Sequence, residues 1–139
     1  MIRHPSLALV SLLAPSARAA DVAAAFELPM PGFTAGSYGG RTLGVGSPKH
    51  LGEDHQAAPT AAVRAIANGK ILAGGISGAH CNYGMVVVIQ HALPDGSEVA
   101  SVYGHLSNRT GYKPKLLGDV KKGDVIGYLA HRNPAQNEL

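Results

Sequence analysis

Glycine and proline residues recur at short intervals along this chain and most strongly constrain what it can fold into. The 139 residues include 18 glycines and 9 prolines, and both residue types interrupt helices and favour turns. No long heptad pattern runs between them. Short strands joined by tight turns satisfy this spacing, so the sequence predicts an all-β fold whose antiparallel sheet is built from hairpins.

The strongest strand signal covers residues 83–90 (YGMVVVIQ), which are apolar enough to predict a strand buried on both faces. The sequence Pro94-Asp95-Gly96 then favours a turn. Residues 98–106 (EVASVYGHL) are predicted to return as the antiparallel partner strand. These two segments are therefore predicted to form one hairpin of the sheet.

Two further turns predict shorter strands. Asn68-Gly69 is a typical hairpin turn, so residues 63–66 are predicted to pair with residues 70–73. Lys122-Gly123-Asp124 turns the chain again, into a strand over residues 125–129. All of these strands follow one another at hairpin spacing, as an antiparallel sheet requires.

The N-terminus has the layout of a secretory signal. Positive charge in residues 1–4 precedes a short apolar run at 7–14 (LALVSLLA), and residues 17–19 (ARA) give a small-residue cleavage site. The run is too short to span a bilayer. We therefore expect a signal peptide over 1–20, a secreted or periplasmic protein, and no stable insertion in a membrane. The alternative is a frayed N-terminal segment of a cytosolic protein.

Residues 21–47 are rich in turn-forming residues and predict a lead-in segment rather than part of the regular sheet. The sequence LPMP at 28–31 cannot be helical and predicts an extended backbone. We expect the lead-in to pack across the surface of the domain that follows it, which is assigned to residues 48–139.

Composition and charge exclude several classes of protein. Hydrophobic residues make up 45% of the chain and charged residues 15%, which is a globular and not a disordered composition. The net charge of +3 is scattered apart from Lys121-Lys122, so the chain has no basic stripe for nucleic acid. Cys81 is the only cysteine, which excludes an intrachain disulfide and a thiolate cluster. The sequence leaves the oligomeric state open.

A histidine and a carboxylate lie four residues apart in the segment 50–54 (HLGED). Both side chains are good zinc ligands, with bonds of about 2.0–2.2 Å. In a straight strand His50 and Asp54 would be roughly 13 Å apart, too far for one ion, and Gly52 disfavours a helix. A bend at Gly52 would bring both side chains onto one cation. By itself, the motif also fits a loop with a surface histidine and aspartate.

A third polar side chain, His105, ends the strand predicted over residues 98–106. By the two-residue period of a strand, His105 shares one face with Ser101 and Tyr103. At the end of a strand an imidazole can reach a cleft, where it can position a water molecule or stabilise an oxyanion. Viewed alone, His105 also fits an ordinary exposed histidine.

Together these segments resemble the lysostaphin/LytM-type zinc endopeptidases, with the similarity running from about His50 to Leu129. The matching segments are HLGED, AVRAIANGKI, NYGMVVVIQH, LPDG, SVYGHLS and GDVKKGDVIGYL, in the order found in the family. The resemblance implies a small β-rich peptidase core. It also implies that His50 and Asp54 are the first two zinc ligands, and that His105 is the catalytic histidine beside the metal.

The resemblance further implies Zn²⁺ as the cofactor and peptidoglycan peptides as the substrate. In the family, zinc activates water for attack on a peptide bond. The family takes its third ligand and a second catalytic histidine from an H-x-H strand, whereas residues 131–139 (HRNPAQNEL) contain no H-x-H. The domain at 48–139 is therefore expected to lack its last strand, to leave a sheet edge open and to show little hydrolysis as this short chain.

Five further histidines have no role in this scheme. His55 directly follows Asp54 and, in an extended chain, should point away from it. His91 follows the predicted 83–90 strand and resembles a family position of mainly structural use. The other three are predicted to have surface or structural roles: His4 in the signal, His80 in a glycine-rich loop, and His131 after the last strand.

Two other functions account for parts of the sequence. The absent H-x-H is typical of non-catalytic modules that keep the fold and regulate cell-wall hydrolases, although such members usually lose more of the ligands. Residues 123–127 (GDVIG) resemble the hairpins of lipoyl and biotinyl carriers, but the chain lacks a lysine at an exposed turn tip flanked by the usual carrier residues, and a carrier would not explain HLGED. Retention of His50 and Asp54 favours an enzyme lineage.

Overall fold

The computed structural model describes residues 22–36, 38–40, 49–76 and 83–130, and these residues form eight strands and no helix. All pairings between these strands are antiparallel, which confirms the predicted all-β class. The described segments contain no helix with the length and hydropathy needed to cross a bilayer. In chain order the strands are β1 (Phe33–Gly36), β2 (Asp54–Gln56), β3 (Ala62–Arg64), β4 (Gly69–Ile76), β5 (Met85–Ala92), β6 (Glu98–Leu106), β7 (Gly118–Val120) and β8 (Val125–Tyr128).

Four strands form the main sheet, in the order β6-β5-β4-β7. Its longest pairing is the β5–β6 hairpin, in which Val88 lies opposite Val102. Gly96 in the connecting turn has a φ of 83°, a backbone conformation that favours glycine. The hairpin predicted from these two segments is therefore confirmed.

Strand β5 alternates between two environments. Val87, Ile89 and His91 are fully buried on its core face, whereas Val86 and Val88 on the other face are half-buried. The prediction that this strand is buried on both faces is wrong, because in the part of the chain that the structure describes the second face borders an open cleft. Other strands complete the core with Val63, Ile71, Tyr103, Leu106, Val120 and Ile126.

Strands β3 and β8 form a separate pair. The predicted hairpin between residues 63–66 and 70–73 is therefore wrong, because β4 pairs with β5 and β7 instead. Between β3 and β4 the chain enters the core and buries Ala65 and Ala67. The Asn68-Gly69 sequence consequently joins strands of two different sheets.

The turn predicted at residues 122–124 lies between β7 and β8. Gly123 has a φ of 85°, and the Asp124 carboxylate accepts a hydrogen bond of 2.9 Å from the backbone N–H of Lys121. The two strands beside the turn do not pair with each other, since β7 lies next to β4 and β8 next to β3. This turn therefore connects the main sheet to the smaller pair.

The described part of the lead-in segment, residues 22–36 and 38–40, contacts the domain that follows it. The backbone N–H groups of Ala23 and Glu27 each donate a 2.8 Å hydrogen bond, to the carbonyls of Ala92 and Ile66 respectively. Met30 is buried in the core. The lead-in also contains regular structure that the sequence did not predict, because β1 pairs with β2.

Candidate functional site

The segment 50–54 bends at Gly52 and enters β2 at Asp54. This bend brings Nε2 of His50 within 3.3 Å of Oδ1 of Asp54. The His50 side chain is 19% exposed and the Asp54 side chain is 58% exposed. The two predicted ligands therefore meet at the surface of the domain.

The distance between Nε2 of His50 and Oδ1 of Asp54 can be compared with that of a hydrogen bond and with that of two ligands on one zinc ion. Charge-assisted hydrogen bonds are shorter, at about 2.7–2.9 Å. Two ligands on a tetrahedral zinc ion, with bonds of about 2.0–2.2 Å, lie about 3.3–3.6 Å apart. The 3.3 Å between His50 and Asp54 is within ion-pair distance and also falls in the second range, so the separation is compatible with both donors on one metal ion. Within the described residues no group of three histidine, cysteine, aspartate or glutamate side chains could hold a metal.

His105 lies in a β-bulge of β6. The register shifts between Met85 and Val87 of β5, so that Gly104 and His105 together face one residue of the neighbouring strand. The backbone N–H of His105 donates a 2.6 Å hydrogen bond to the carbonyl of Tyr83. Its carbonyl accepts a 2.9 Å hydrogen bond from the N–H of Ala130. Both backbone groups are therefore fixed.

The bulge overturns the prediction that His105 shares a face with Ser101 and Tyr103. Tyr103 and Leu106 are both buried, while His105 between them is exposed. The φ of His105 is 55°, a conformation that costs about 1–3 kcal/mol in a non-glycine residue. Bulges redirect side chains in this way, and here the imidazole leaves the core face and lines the cleft.

The three predicted site residues, His50, Asp54 and His105, line one open cleft with a volume of about 1220 Å³. Small-molecule sites usually enclose about 300–1,000 Å³. The larger volume leaves room for part of an extended polymer chain beside the histidine–carboxylate pair.

The wall formed by the main sheet is apolar. Val86 and Val88 of β5 and Val102 of β6 line the cleft there, and Val102 is 69% exposed. The ring of Tyr83 lies 6.0 Å from the ring of His105, with the planes tilted by 56°. Such a surface favours neutral segments of a ligand over charged ones, because a charged group would lose hydration without gaining a partner.

His55 borders the same cleft, and its burial alternates with that of Asp54, as expected of neighbouring residues in an extended chain. Strand β2 is three residues long and exposes Asp54 and Gln56 on either side of the half-buried His55. Nδ1 of His55 is buried and has no hydrogen-bond partner among the described residues. An unpaired buried group of this kind costs about 1–3 kcal/mol. This environment of His55 depends on the pairing of β2 with β1, which the sequence did not predict.

His91 is fully buried in β5 and has contacts at both ring nitrogens. Nδ1 donates to the carbonyl of Asn68 and Nε2 contacts Oγ of Ser101, each at 2.8 Å. Ser101 Oγ lies 3.1 Å from the Tyr103 phenol oxygen, which accepts the N–H of Ile66 at 3.0 Å. Burial raises the pKa of Tyr103 above its ordinary value of 10.0, against the opposing effect of the hydrogen bonds. This arrangement agrees with a structural role for His91.

Several positions discussed from the sequence lie outside the described residues. They are His4, His80, Cys81, His131, the predicted signal over 1–20 and the segment 131–139. Among the described residues, the candidate site consists of His50 and Asp54 on the β2 side of the cleft and His105 on the β6 side.

A small antiparallel β domain with a histidine–carboxylate pair at an open cleft is compatible with a metallopeptidase. The sequence profile of peptidase family M23 matches residues 48–138, which is more than half of the chain, so the chain belongs to this family. The match confirms the resemblance to lysostaphin/LytM-type enzymes and supports a peptidase function connected with peptidoglycan. A comparison with curated proteins found no match.

Proposed function

We propose that this chain is a zinc-dependent endopeptidase that cleaves peptide cross-links in bacterial cell walls. The observation that carries the proposal is the 3.3 Å separation of His50 Nε2 and Asp54 Oδ1 beside a cleft that His105 also lines. Family membership supports the peptidase class, and the pair offers two donors of the kind that zinc binds.

In this proposal His50 and Asp54 hold the metal through Nε2 and Oδ1. When bound, zinc supplies Lewis acidity that polarises a peptide carbonyl and activates water. Catalytic zinc sites usually have three protein ligands. In the segments that the structure describes, no third histidine, cysteine or carboxylate completes a group with this pair. The proposal therefore assigns two ligands.

His105 is the proposed catalytic histidine. Its backbone is fixed by hydrogen bonds at the N–H and the carbonyl, and Tyr83 lies against its ring. An imidazole held in this way can donate a hydrogen bond to the oxygen that gains negative charge as a peptide bond is cleaved. It can also move a proton during the reaction. The bulge thus gives His105 a direction toward substrate in the cleft.

The apolar wall formed by Val86, Val88 and Val102 supports a peptide substrate with small or neutral side chains. Cell-wall peptides are the substrate class that the family relationship supports. We also propose that residues 1–20 direct the protein to the cell envelope. Sequencing the N-terminus of the mature protein tests this, since cleavage should leave Ala20 or Asp21 first and an intact Met1 would contradict it.

Zinc content after dialysis tests the metal assignment. Wild-type protein should retain zinc, and Asp54→Ala should lose most of it, because one of the two assigned donors is removed. Asp119→Ala is the matched control, since Asp119 is an exposed carboxylate on β7 outside the cleft lining. Equal zinc in the wild-type and Asp54→Ala proteins would defeat the assignment.

Release of soluble peptides from purified sacculi tests the reaction. His105→Ala should retain zinc while reducing the low hydrolysis expected of the wild-type chain by about 10²–10⁴-fold, the usual contribution of an acid–base group. Binding to sacculi without any release of peptides by the wild-type chain would instead assign it to the non-catalytic regulatory modules. Hydrolysis that survives His105→Ala would remove that residue from the proposed mechanism.

A further inference from the structure

Gly36 faces the Asp54 carboxylate across the β1–β2 pair. A Cβ atom at Gly36 would lie 2.7 Å from Oδ2 of Asp54 and 3.4 Å from its Cγ, which is closer than side-chain atoms normally approach. The φ of Gly36 is outside the left-handed region, so the backbone alone does not require glycine. The absence of a side chain at this position is what leaves space for the carboxylate.

His50 is held by the same part of the chain. Its backbone N–H donates a 2.7 Å hydrogen bond to the carbonyl of Gly40, and its carbonyl accepts a 2.7 Å hydrogen bond from the N–H of Gly39. The N–H of Tyr38 donates a 3.0 Å hydrogen bond to the Glu53 carboxylate, beside Asp54. These contacts hold the backbone of His50 before the bend at residue 52 and the side chain of Glu53 after it.

We propose that Gly36 and residues 38–40 form a positioning element that holds His50 and Asp54 at metal-ligand separation. The element precedes residues 48–138, where the family profile matches, so the match does not assign it a role. The inference rests on the proposed function, in which the pair binds zinc. Ligand distances in metal sites tolerate changes of only about 0.2 Å, and therefore a displaced carboxylate weakens binding.

A substitution at Gly36 separates positioning from stability. The atom that an added methyl group would displace is the end of a half-exposed side chain, and it can move without unfolding the domain. Replacement of glycine by alanine at a compatible φ also reduces the entropy of the unfolded chain, which stabilises proteins. Gly36→Ala should therefore leave the unfolding midpoint unchanged or raised while it weakens metal binding.

The experiment measures zinc affinity by chelator competition, and the visible absorption of the Co²⁺-loaded protein, for wild type, Gly36→Ala, Asp54→Ala and the double variant. Gly36→Ala should bind zinc at least tenfold more weakly and shift the Co²⁺ bands, because the carboxylate leaves its position. In the Asp54→Ala background the same change should alter affinity by less than twofold, since the two positions act through one carboxylate.

Gly74→Ala is the matched control. A Cβ at Gly74 would also lie 2.7 Å from the end of a flexible side chain, here Cδ2 of Leu116, and the φ of Gly74 is likewise outside the left-handed region. This variant should bind zinc within twofold of wild type. An equal loss in Gly74→Ala and Gly36→Ala would mean that any crowding of the domain weakens the site, which overturns the inference.

Failure of the inference is distinguishable from failure of the proposed function. If Asp54→Ala loses zinc and Gly36→Ala does not, the metal site stands and the positioning role is wrong. An equal loss from Gly36→Ala in both backgrounds also overturns it. If wild type binds no zinc, a crystal structure of metal-free Gly36→Ala decides: a separation of His50 Nε2 and Asp54 Oδ1 above 3.3 Å supports the inference, and an unchanged separation refutes it.

Discussion

The two sides of the candidate site rest on different supports. His50 and Asp54 are carried by a bend and by β2, a three-residue strand that pairs with β1. His105 is carried by β6, a nine-residue strand that pairs with β5 on both sides of the bulge and buries Tyr103 and Leu106 in the core. One support is a narrow ribbon of the two short strands β1 and β2, and the other is the main sheet.

The difference between the two supports predicts which changes alter the stability of the domain and which alter the geometry of the site. The main sheet buries apolar side chains, and each Å² of apolar surface removed from water contributes about 25 cal/mol. In the ribbon, Asp54 and Gln56 are exposed and His55 is half-buried, and the position of the ligand pair depends on a few backbone hydrogen bonds and on close packing at Gly36. Changes in the sheet should therefore alter the free energy of unfolding, whereas changes in the ribbon should alter the arrangement of the pair.

The largest effect on stability should come from Ile89→Ala in the main sheet. Ile89 is fully buried in β5, and truncation of such a side chain costs about 2–5 kcal/mol. Leu51→Ala in the segment between the two ligands should change the free energy of unfolding by less than about 0.5 kcal/mol, because Leu51 is 79% exposed. Urea unfolding midpoints measure the stability of both variants. Equal losses of stability in Ile89→Ala and Leu51→Ala would contradict the proposal that the main sheet, and not the segment between the ligands, determines stability.

A gain in stability is expected from His55→Leu. The change removes a ring nitrogen that is buried and has no partner among the described residues, and an apolar side chain of similar size avoids its desolvation cost. We expect the free energy of unfolding to rise by about 1 kcal/mol, measured in the same urea experiment.

His55→Leu also tests whether a change in β2 can alter stability without altering zinc binding. Zinc binding should be retained in His55→Leu, because the assigned ligands are His50 and Asp54. Loss of zinc together with a rise in stability would identify His55 as a further ligand. A fall in stability would show that the His55 ring makes a favourable contact in the folded protein.

The smallest effect should appear only in alkali. Burial raises the pKa of Tyr103 in the folded protein above its ordinary value of 10.0, so above that pH the unfolded chain releases the proton more readily. The stability associated with Tyr103 is therefore complete below about pH 10 and is lost as the pH rises toward the folded pKa. The slope of unfolding free energy against pH should be less negative in Tyr103→Phe. Identical slopes would contradict the burial of the phenol.

The sequence predicted the parts of the fold that depend on neighbouring residues. The β5–β6 hairpin follows from the turn at residues 94–96, and Gly123 occupies the turn predicted at 122–124. The wrong predictions concern partners distant in sequence. β3 has the pattern of a hairpin strand, but its partner is β8, because buried contacts from both strands outweigh the local Asn68-Gly69 signal.

The candidate site likewise has one part that follows from neighbouring residues and another that depends on residues distant in sequence. Residue types and spacing in segment 50–54 were sufficient to predict that a bend would bring His50 and Asp54 together, since that step is local. The direction of His105 depends on a bulge against β5, and the space for the Asp54 carboxylate depends on Gly36 in a strand that lies far from it along the chain.

By itself, the amino-acid sequence determined the all-β class, the main turns and the chemical types of the proposed site residues, because these depend on backbone preferences and side-chain chemistry. Only the tertiary structure decided which strands pair, which face of β5 borders the cleft and which way His105 points. The physical reason is that register and pairing are set by the total free energy of contacts across the whole domain, to which a local sequence pattern contributes a small part.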